Sequence, residues 1–173
     1  MELIRVDVSD FNIIFRIMDK AFPNSEMRTY DGQRKVFEKP EYNVLMNEEK
    51  TAFISFWHFE YAIYIEHFAV GDGLRGNGIG ADMLRKFLQM VKVKVFLEAE
   101  PPVDKIAKRR IGFYERMGFV LNPCYYLQPP YRQDEEPIQL KIMTYGEGID
   151  RKQFDEYKKM LYNHVYNYVE SGI

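Results

Sequence analysis

Residues 69–91 read AVGDGLRGNGIGADMLRKFLQMV: the end of an apolar strand, a turn with five glycines in ten residues, and a helix with an apolar stripe. Backbone amides at Gly76, Gly78 and Gly80 can approach a phosphate closely because glycine has no Cβ. The helix that begins near Gly78 adds unpaired N–H groups and the positive end of its dipole, and Arg75 adds a fixed charge. The stretch therefore predicts a strand–turn–helix unit that binds a diphosphate.

Two other glycine-rich phosphate patterns do not describe this stretch. The dinucleotide-binding fingerprint is G-x-G-x-x-G after the first strand of a domain. Here the spacing is G-x-G-x-G, and three or four predicted strands precede it. A Walker A loop requires G-x-x-x-x-G-K followed by Ser or Thr, and the sequence contains no such run.

Outward from this stretch, apolar periodicity predicts the remaining elements. Before it come strands at 2–8, 42–46, 51–59 and 61–70 and helices at 11–22 and 26–38; after it come strands at 94–98 and 138–145 and helices at 104–117 and 150–172. This order predicts an α/β (mixed α+β) fold with a central, mostly antiparallel mixed sheet of six to seven strands flanked by helices. Residues 1–148 are expected to form the main domain, and 149–173 a helical extension packed on it or on a partner.

The composition and charge of the chain indicate which partners and which cellular compartment to expect. The chain has 173 residues, 46% of them hydrophobic and 29% charged, which is typical of a globular domain. Its net charge of −2 provides no basic footprint for nucleic acid. Neither a membrane-spanning run nor a signal peptide is visible, and the single Cys124 cannot form an intramolecular disulfide. We therefore expect a cytoplasmic protein with no nucleic-acid or membrane partner.

Two motifs together resemble the GNAT superfamily of N-acetyltransferases. The family signature R/Q-x-x-G-x-G/A after a strand is matched at residues 75–80, RGNGIG. A helix ending in a pattern like A-x-x-x-Y-x-x-x-G-F is matched at residues 110–119, with Tyr114 as its tyrosine and Gly112 in place of a common small residue. The resemblance covers roughly residues 2–146. One departure is Glu100-Pro101-Pro102, where many relatives place an Asn that contacts the coenzyme.

The resemblance implies acetyl-CoA as co-substrate. Its pantetheine arm would pair with the backbone of the fourth strand, in a splay between that strand and the fifth, and its diphosphate would lie on the glycine turn. The implied cofactor-binding residues are Phe68, Ala69, Val70, Arg75, Gly76, Asn77, Gly78, Ile79 and Gly80. Tyr114 would donate a proton to the departing thiolate, and a backbone amide near 68–70 would hold the oxyanion.

The reaction also needs a base, because only a neutral amine attacks a thioester and an alkylamine of pKa about 10.4 is roughly 0.1% neutral at pH 7.4. Glu66 is the first candidate and Glu98 the second, with His67 and Glu100 as further candidates. Strand alternation puts Glu66 and His67 on opposite faces, and His67 fits a structural histidine as well. No cluster of Cys and His suggests a metal.

These features predict an N-acetyltransferase that transfers acetyl to a primary amine by direct attack in a ternary complex. A non-catalytic acetyl-CoA-binding sensor or scaffold, and an acyltransferase for longer chains, are the alternatives. The acidic candidates near the site favour a cationic small molecule as acceptor.

The tail helix carries two apolar stripes, the second made of Tyr162, Tyr166 and Val169. One stripe suffices for docking on the same domain. The second predicts a homodimer contact, with a lid or self-packing as the alternatives.

Overall fold

The computed structural model describes residues 1–169. Its strands are β1 Leu3–Arg5, β2 Tyr42–Asn47, β3 Ala52–His58, β4 Ala62–Val70, β5 Lys94–Ala99, β6 Phe119–Leu121, β7 Tyr126–Gln128 and β8 Ile138–Tyr145. Its α-helices are α1 Phe11–Ala21, α2 Tyr30–Val36, α3 Ile79–Met90, α4 Lys105–Arg116 and α5 Arg151–Met160. The mixed α+β class with a mostly antiparallel arrangement of strands is confirmed, with eight strands within residues 1–169. None of the helices in this part of the chain combines the length and apolar character needed to cross a membrane.

Contacts divide the chain into two compact units, the first Met1–Leu97 and the second starting at Glu98. In the first unit β1, β2, β3 and β4 pair antiparallel in sequence order, and β5 pairs parallel to β4. A tight turn at residues 47–50 joins β2 to β3, and Lys50 adopts the left-handed conformation in it, with φ 54°. Helix α1 packs on β4 and α3 packs on β3, so their apolar stripes are buried on the sheet.

The pairing of β4 changes at Glu66. On the β3 side Phe56 pairs with Ile65 and Ser55 with His67, so Glu66 is an extra residue that forms a β-bulge. On the β5 side the parallel ladder runs from Ala62–Lys94 to Ile65–Leu97. The last five residues of β4 therefore lie beyond the part of the strand that pairs with β5, although they still pair with β3.

In the second unit β8 is the central strand. Its C-terminal half pairs with β6 and its N-terminal half with β7, both antiparallel. The sequence did not predict β6 or β7, because three residues are too few to show alternation and prolines flank both strands. Helix α4 packs on β6, with Asp104 as its N-cap and Met117 as its C-cap.

Helix α5 begins as predicted, with a capping box between Asp150 and Gln153. The expectation that the helix continues to residue 172 is wrong in the described part. Helix α5 gives way at Leu161 to a π-helical segment that ends at Val165, and Asn167 has a φ of 48°. Residues 170–173 of the predicted helix lie outside the described residues.

The ends of two other elements differ from the predicted ones. Strand β1 is shorter than 2–8, and α2 starts at Tyr30, not at residue 26, since the Thr29 hydroxyl accepts a hydrogen bond from the Gly32 amide at 3.2 Å. A threonine that caps a first turn fixes where the helix begins.

Candidate active site

The glycine turn presents bare backbone at the start of α3. Gly76 and Gly78 have φ values of 89° and 83°, in the left-handed region that side chains disfavour. Apart from the glycine itself and its two chain neighbours, no atom of the described residues lies within 4 Å of the point where a Cβ would stand on either glycine. Gly78 is the N-cap of α3 and has no side chain that could satisfy the first-turn amides. The turn therefore leaves N–H groups and accessible space together, as an anion site requires.

Two neighbours hold this turn in place. A Cβ on Gly80 would lie 3.4 Å from the side chains of both Phe68 and Val70, so α3 approaches β4 closely at its first turn. Arg75 donates from Nε to the Val70 carbonyl at 3.3 Å, and its Nη2 lies 3.7 Å from Asp72. The Arg75 side chain is 59% exposed, so its charge faces solvent at the turn.

The end of β4 exposes backbone. Glu66 as a residue is half-buried although its side chain is 0% exposed, so the accessible part of Glu66 is main chain. Phe68 and Val70 are also half-buried, whereas Ala69 is buried. A strand segment beyond its ladder with accessible main chain can pair with an extended ligand.

The Glu66 side chain lies in a buried ion pair. Its Oε1 is 2.8 Å from Nη2 of Arg28, whose side chain is 9% exposed, and its Oε2 is 3.6 Å from Nδ1 of His67. Burial alone would raise the pKa of this carboxyl, but the Arg28 guanidinium and then His67 outweigh it, and the pKa falls to about 2. A carboxylate with so low a pKa is a weak proton acceptor at neutral pH. This environment argues against Glu66 as the base.

The prediction that Glu66 and His67 face opposite sides is wrong, because the bulge at Glu66 interrupts the alternation of β4. His67 is buried, its Nε2 is 2.8 Å from the carbonyl oxygen of Glu26, and its ring packs edge-on against Phe22. Both side chains therefore join β4 to the segment that connects α1 to α2. These contacts suit the structural role for His67.

Glu98, near the end of β5, accepts two phenolic hydrogen bonds. Tyr126 donates to Oε1, and Tyr166 donates to Oε2 at 2.6 Å. Burial and then the negative charge of Glu98 raise the pKa of Tyr126 well above its ordinary value, so Tyr126 stays a protonated donor. No local pattern predicts these hydrogen bonds, because 28 and 68 positions separate Glu98 from Tyr126 and Tyr166. Glu100, a further candidate, pairs instead with Arg110 at 2.6 Å.

Tyr114 lies in the last turns of α4, with its ring against Phe113 and Phe119. The residue is 9% exposed, and burial, only partly offset by Arg110, raises the pKa of Tyr114 to about 12. The phenol therefore stays protonated at neutral pH and can act as a proton donor.

The premise for the homodimer, that the second stripe of the tail leaves rings exposed, is wrong for two of its three members. Tyr162 is 7% exposed, donates to the Leu127 carbonyl at 2.6 Å and packs against Tyr126. Tyr166 is half-buried, and only Val169 is largely exposed, at 86%. The homodimer stays a prediction. Sedimentation of the intact chain tests it, and a monomer at tens of micromolar contradicts it.

Comparisons with known proteins give a family and a fold. A protein from Bacteroides thetaiotaomicron, provisionally assigned to the GNAT family of acetyltransferases, is 28% identical with a TM-score of 0.91, over 98% of this chain and 100% of its own. The ribosomal-protein-S18-alanine N-acetyltransferase of Escherichia coli is 18% identical with a TM-score of 0.60, over 86% of this chain and 95% of its own. A point mutant of the spermidine N-acetyltransferase of Vibrio cholerae is 12% identical with a TM-score of 0.61, over 84% of this chain and 94% of its own.

At 18% and 12% identity the last two similarities establish the fold alone. No curated protein matches the chain. The family profile described as acetyltransferase (GNAT) family matches residues 11–119, more than half of the sequence. This match spans the bulged strand, the glycine turn and the tyrosine helix described above, and the chain belongs to the GNAT family of acetyltransferases.

Proposed function

We propose that the protein transfers the acetyl group of acetyl-CoA to a primary amine, on a small molecule or a peptide. The observation that carries this proposal is the turn before α3, where Gly76 and Gly78 adopt left-handed conformations beside accessible space. Members of the family are acetyltransferases, and free amides at a helix N-terminus can bind the diphosphate of a coenzyme.

The residues present fit the coenzyme. The amides of residues 76–80 and the charge of Arg75 would hold the diphosphate, and the main chain of Phe68 and Val70, beyond the last β4 residue that pairs with β5, would pair with the pantetheine arm. A Cβ at Gly78 would enter the space that the diphosphate needs. When bound, acetyl-CoA supplies an activated thioester carbonyl. A backbone amide at the end of β4 would stabilise the negative charge that develops on that carbonyl oxygen.

We assign the base to Glu98 and the acid to Tyr114. Glu98 would accept the proton that the amine loses, directly or through water, as the new C–N bond forms. Tyr114 would donate its proton to the sulfur as the C–S bond breaks, and its high pKa keeps that proton available. Glu66, held by Arg28, has the role of fixing the bulge of β4. Direct attack needs no acyl-enzyme, and Cys124 is not required.

The acceptor is proposed to be a cationic small molecule, because the candidate base is itself an anion that can attract an ammonium group. A non-catalytic acetyl-CoA-binding module would use the same turn and strand end. An acyltransferase for longer chains would differ only in the acyl group that it accepts.

Release of free thiol from acetyl-CoA, measured with and without a panel of amines, separates these readings. The panel contains polyamines, arylalkylamines and peptides with a free N-terminus. Amine-dependent release that Glu98→Gln lowers about 100-fold supports the proposal. Coenzyme binding without release for any amine supports the sensor, and faster release from a longer acyl-CoA supports the third reading.

A further inference from the structure

Tyr126 and Tyr166 enclose Glu98 from two different elements. Each carboxylate oxygen accepts one phenolic hydrogen bond, Oε1 from Tyr126 on β7 and Oε2 from Tyr166 after the π-helical segment. Hydrogen bonds to an ionised acceptor are among the stronger ones in proteins and fix its orientation. A carboxylate has about four acceptor positions, and these two bonds use two of them. The side chain is thus oriented at both oxygens.

The local backbone explains how Tyr166 reaches Glu98. The Tyr166 amide donates to the Leu161 carbonyl at 3.0 Å and the Tyr168 amide to the Tyr162 carbonyl at 2.8 Å, five and six residues back. A π-helical turn of this kind is rare and frequently occurs at functional sites. Asn167 follows with a φ of 48°, the left-handed conformation that asparagine adopts more readily than most residues and in which helices commonly end. The chain therefore leaves the helix directly after Tyr166.

Two further contacts hold the segment. Tyr162, one turn before Tyr166, donates to the Leu127 carbonyl at 2.6 Å, next to Tyr126. The Tyr131 ring lies 5.0 Å from that of Tyr166, centroid to centroid, and their hydroxyl oxygens are 3.4 Å apart. The segment is therefore attached at Tyr162 independently of its bond to Glu98.

We propose that Tyr166 is a positioning residue, which acts by orienting the Glu98 carboxylate. This inference rests on the role proposed for Glu98. Because the hydroxyl of Tyr166 stabilises the ionised carboxylate, it also keeps Glu98 able to accept a proton at lower pH. Tyr131 and Tyr162 are among the titratable groups that act on Tyr126, and Tyr166 contacts Glu98 directly; these three are phenols.

The test compares Tyr166→Phe with Tyr162→Phe in the full chain. Each variant removes one hydroxyl from the same segment and keeps the ring, but only the first removes a donor to Glu98. We expect Tyr166→Phe to lower kcat/KM about tenfold, mainly through kcat, and to move the acid limb of its pH profile to higher pH. Tyr162→Phe should stay within about threefold of wild type with an unmoved limb.

The outcomes separate the two proposals. Equal losses in Tyr166→Phe and Tyr162→Phe, without a shift of the acid limb, mean that the segment has only a structural role, and they overturn the inference. An active Tyr166→Phe variant beside a severely impaired Glu98→Gln variant also overturns the inference but leaves the proposed function intact. A fully active Glu98→Gln variant refutes the base assignment itself, and the role of Tyr166 is refuted with it.

Discussion

A side chain on Gly78 should remove coenzyme binding for a reason that can be separated from its effect on folding. Gly78 caps α3 with a φ of 83°, and apart from its chain neighbours no described atom lies within 4 Å of the position of a Cβ. The folded chain therefore has room for the Cβ of Gly78→Val, which lies in the space beside the amides. Gly146 provides a matched control, since its φ is 88° and its Cβ position is equally unobstructed, but it follows β8, well away in sequence from the turn.

The two variants should lose similar stability. A left-handed conformation costs a residue other than glycine about 1–2 kcal/mol. For a chain of this length 1 kcal/mol corresponds to roughly 2–4 °C in Tm, so each variant should melt about 2–8 °C below wild type. A ligand that binds only the folded state at 100 times its Kd adds about 2.7 kcal/mol, which raises Tm by roughly 5–11 °C.

Thermal denaturation with and without acetyl-CoA measures both effects in one experiment. Wild type and Gly146→Val should show the full rise in Tm, and Gly78→Val should show almost none. Calorimetric titration at 25 °C, where all three proteins are folded, gives the affinities directly. A folded Gly78→Val protein that binds acetyl-CoA with wild-type affinity refutes the assignment of the diphosphate to this turn.

The other predictions concern ionisable side chains. Tyr114→Phe should lower kcat about 100-fold and change the free energy of unfolding little, because the ring contacts remain; a wild-type kcat would reduce Tyr114 to a core residue. Glu66→Gln should lower the free energy of unfolding at pH 7 by about 3 kcal/mol in urea denaturation, since it removes the carboxylate that pairs with the buried Arg28. The pKa of Glu66 is lower in the folded protein than its ordinary 4.5, so its contribution should be lost as pH falls from 4.5 towards 2. Glu66→Gln should lack that part of the acid destabilisation, and identical pH dependence in both proteins contradicts the buried pair.

The sequence predicted those elements whose local pattern and tertiary environment agree. The last strand, β8, is found at the predicted residues 138–145, and α4 is bounded by Asp104 and Met117, the two ends of the predicted helix. The turn at residues 75–80 was also predicted, because closely spaced glycines indicate backbone conformations with positive φ that other residues disfavour. In contrast, β6 and β7 depend on their pairing with β8, which no local pattern of three residues can reveal.

The candidate base shows where local reasoning fails. Alternation along β4 assumed a regular strand, and on that assumption Glu66 and His67 were expected on opposite faces. The bulge breaks the alternation at Glu66 itself, and Arg28 comes from the segment after α1 to neutralise the carboxylate. The sequence contains no signal that joins two residues 38 positions apart (28 and 66). The predicted role of Glu66 as the base stays untested, and the ion pair with Arg28, which only the tertiary structure supplies, argues against it.

The second aromatic stripe of the tail also has an environment that its local pattern did not predict. Its second stripe suggested a surface for another subunit, because a helix needs only one stripe to dock on its own domain. In the structure the helix stops being α-helical at Leu161, and the wider π-helical turn directs Tyr162 and Tyr166 towards polar acceptors of the same unit. A tyrosine has an apolar ring and a hydroxyl donor, so a stripe of tyrosines can equally serve an interface or a buried hydrogen-bonding cluster. Two such hydroxyls meet a main-chain carbonyl and the Glu98 carboxylate, which connects the tail to the chemistry proposed for Glu98 and leaves the homodimer a prediction.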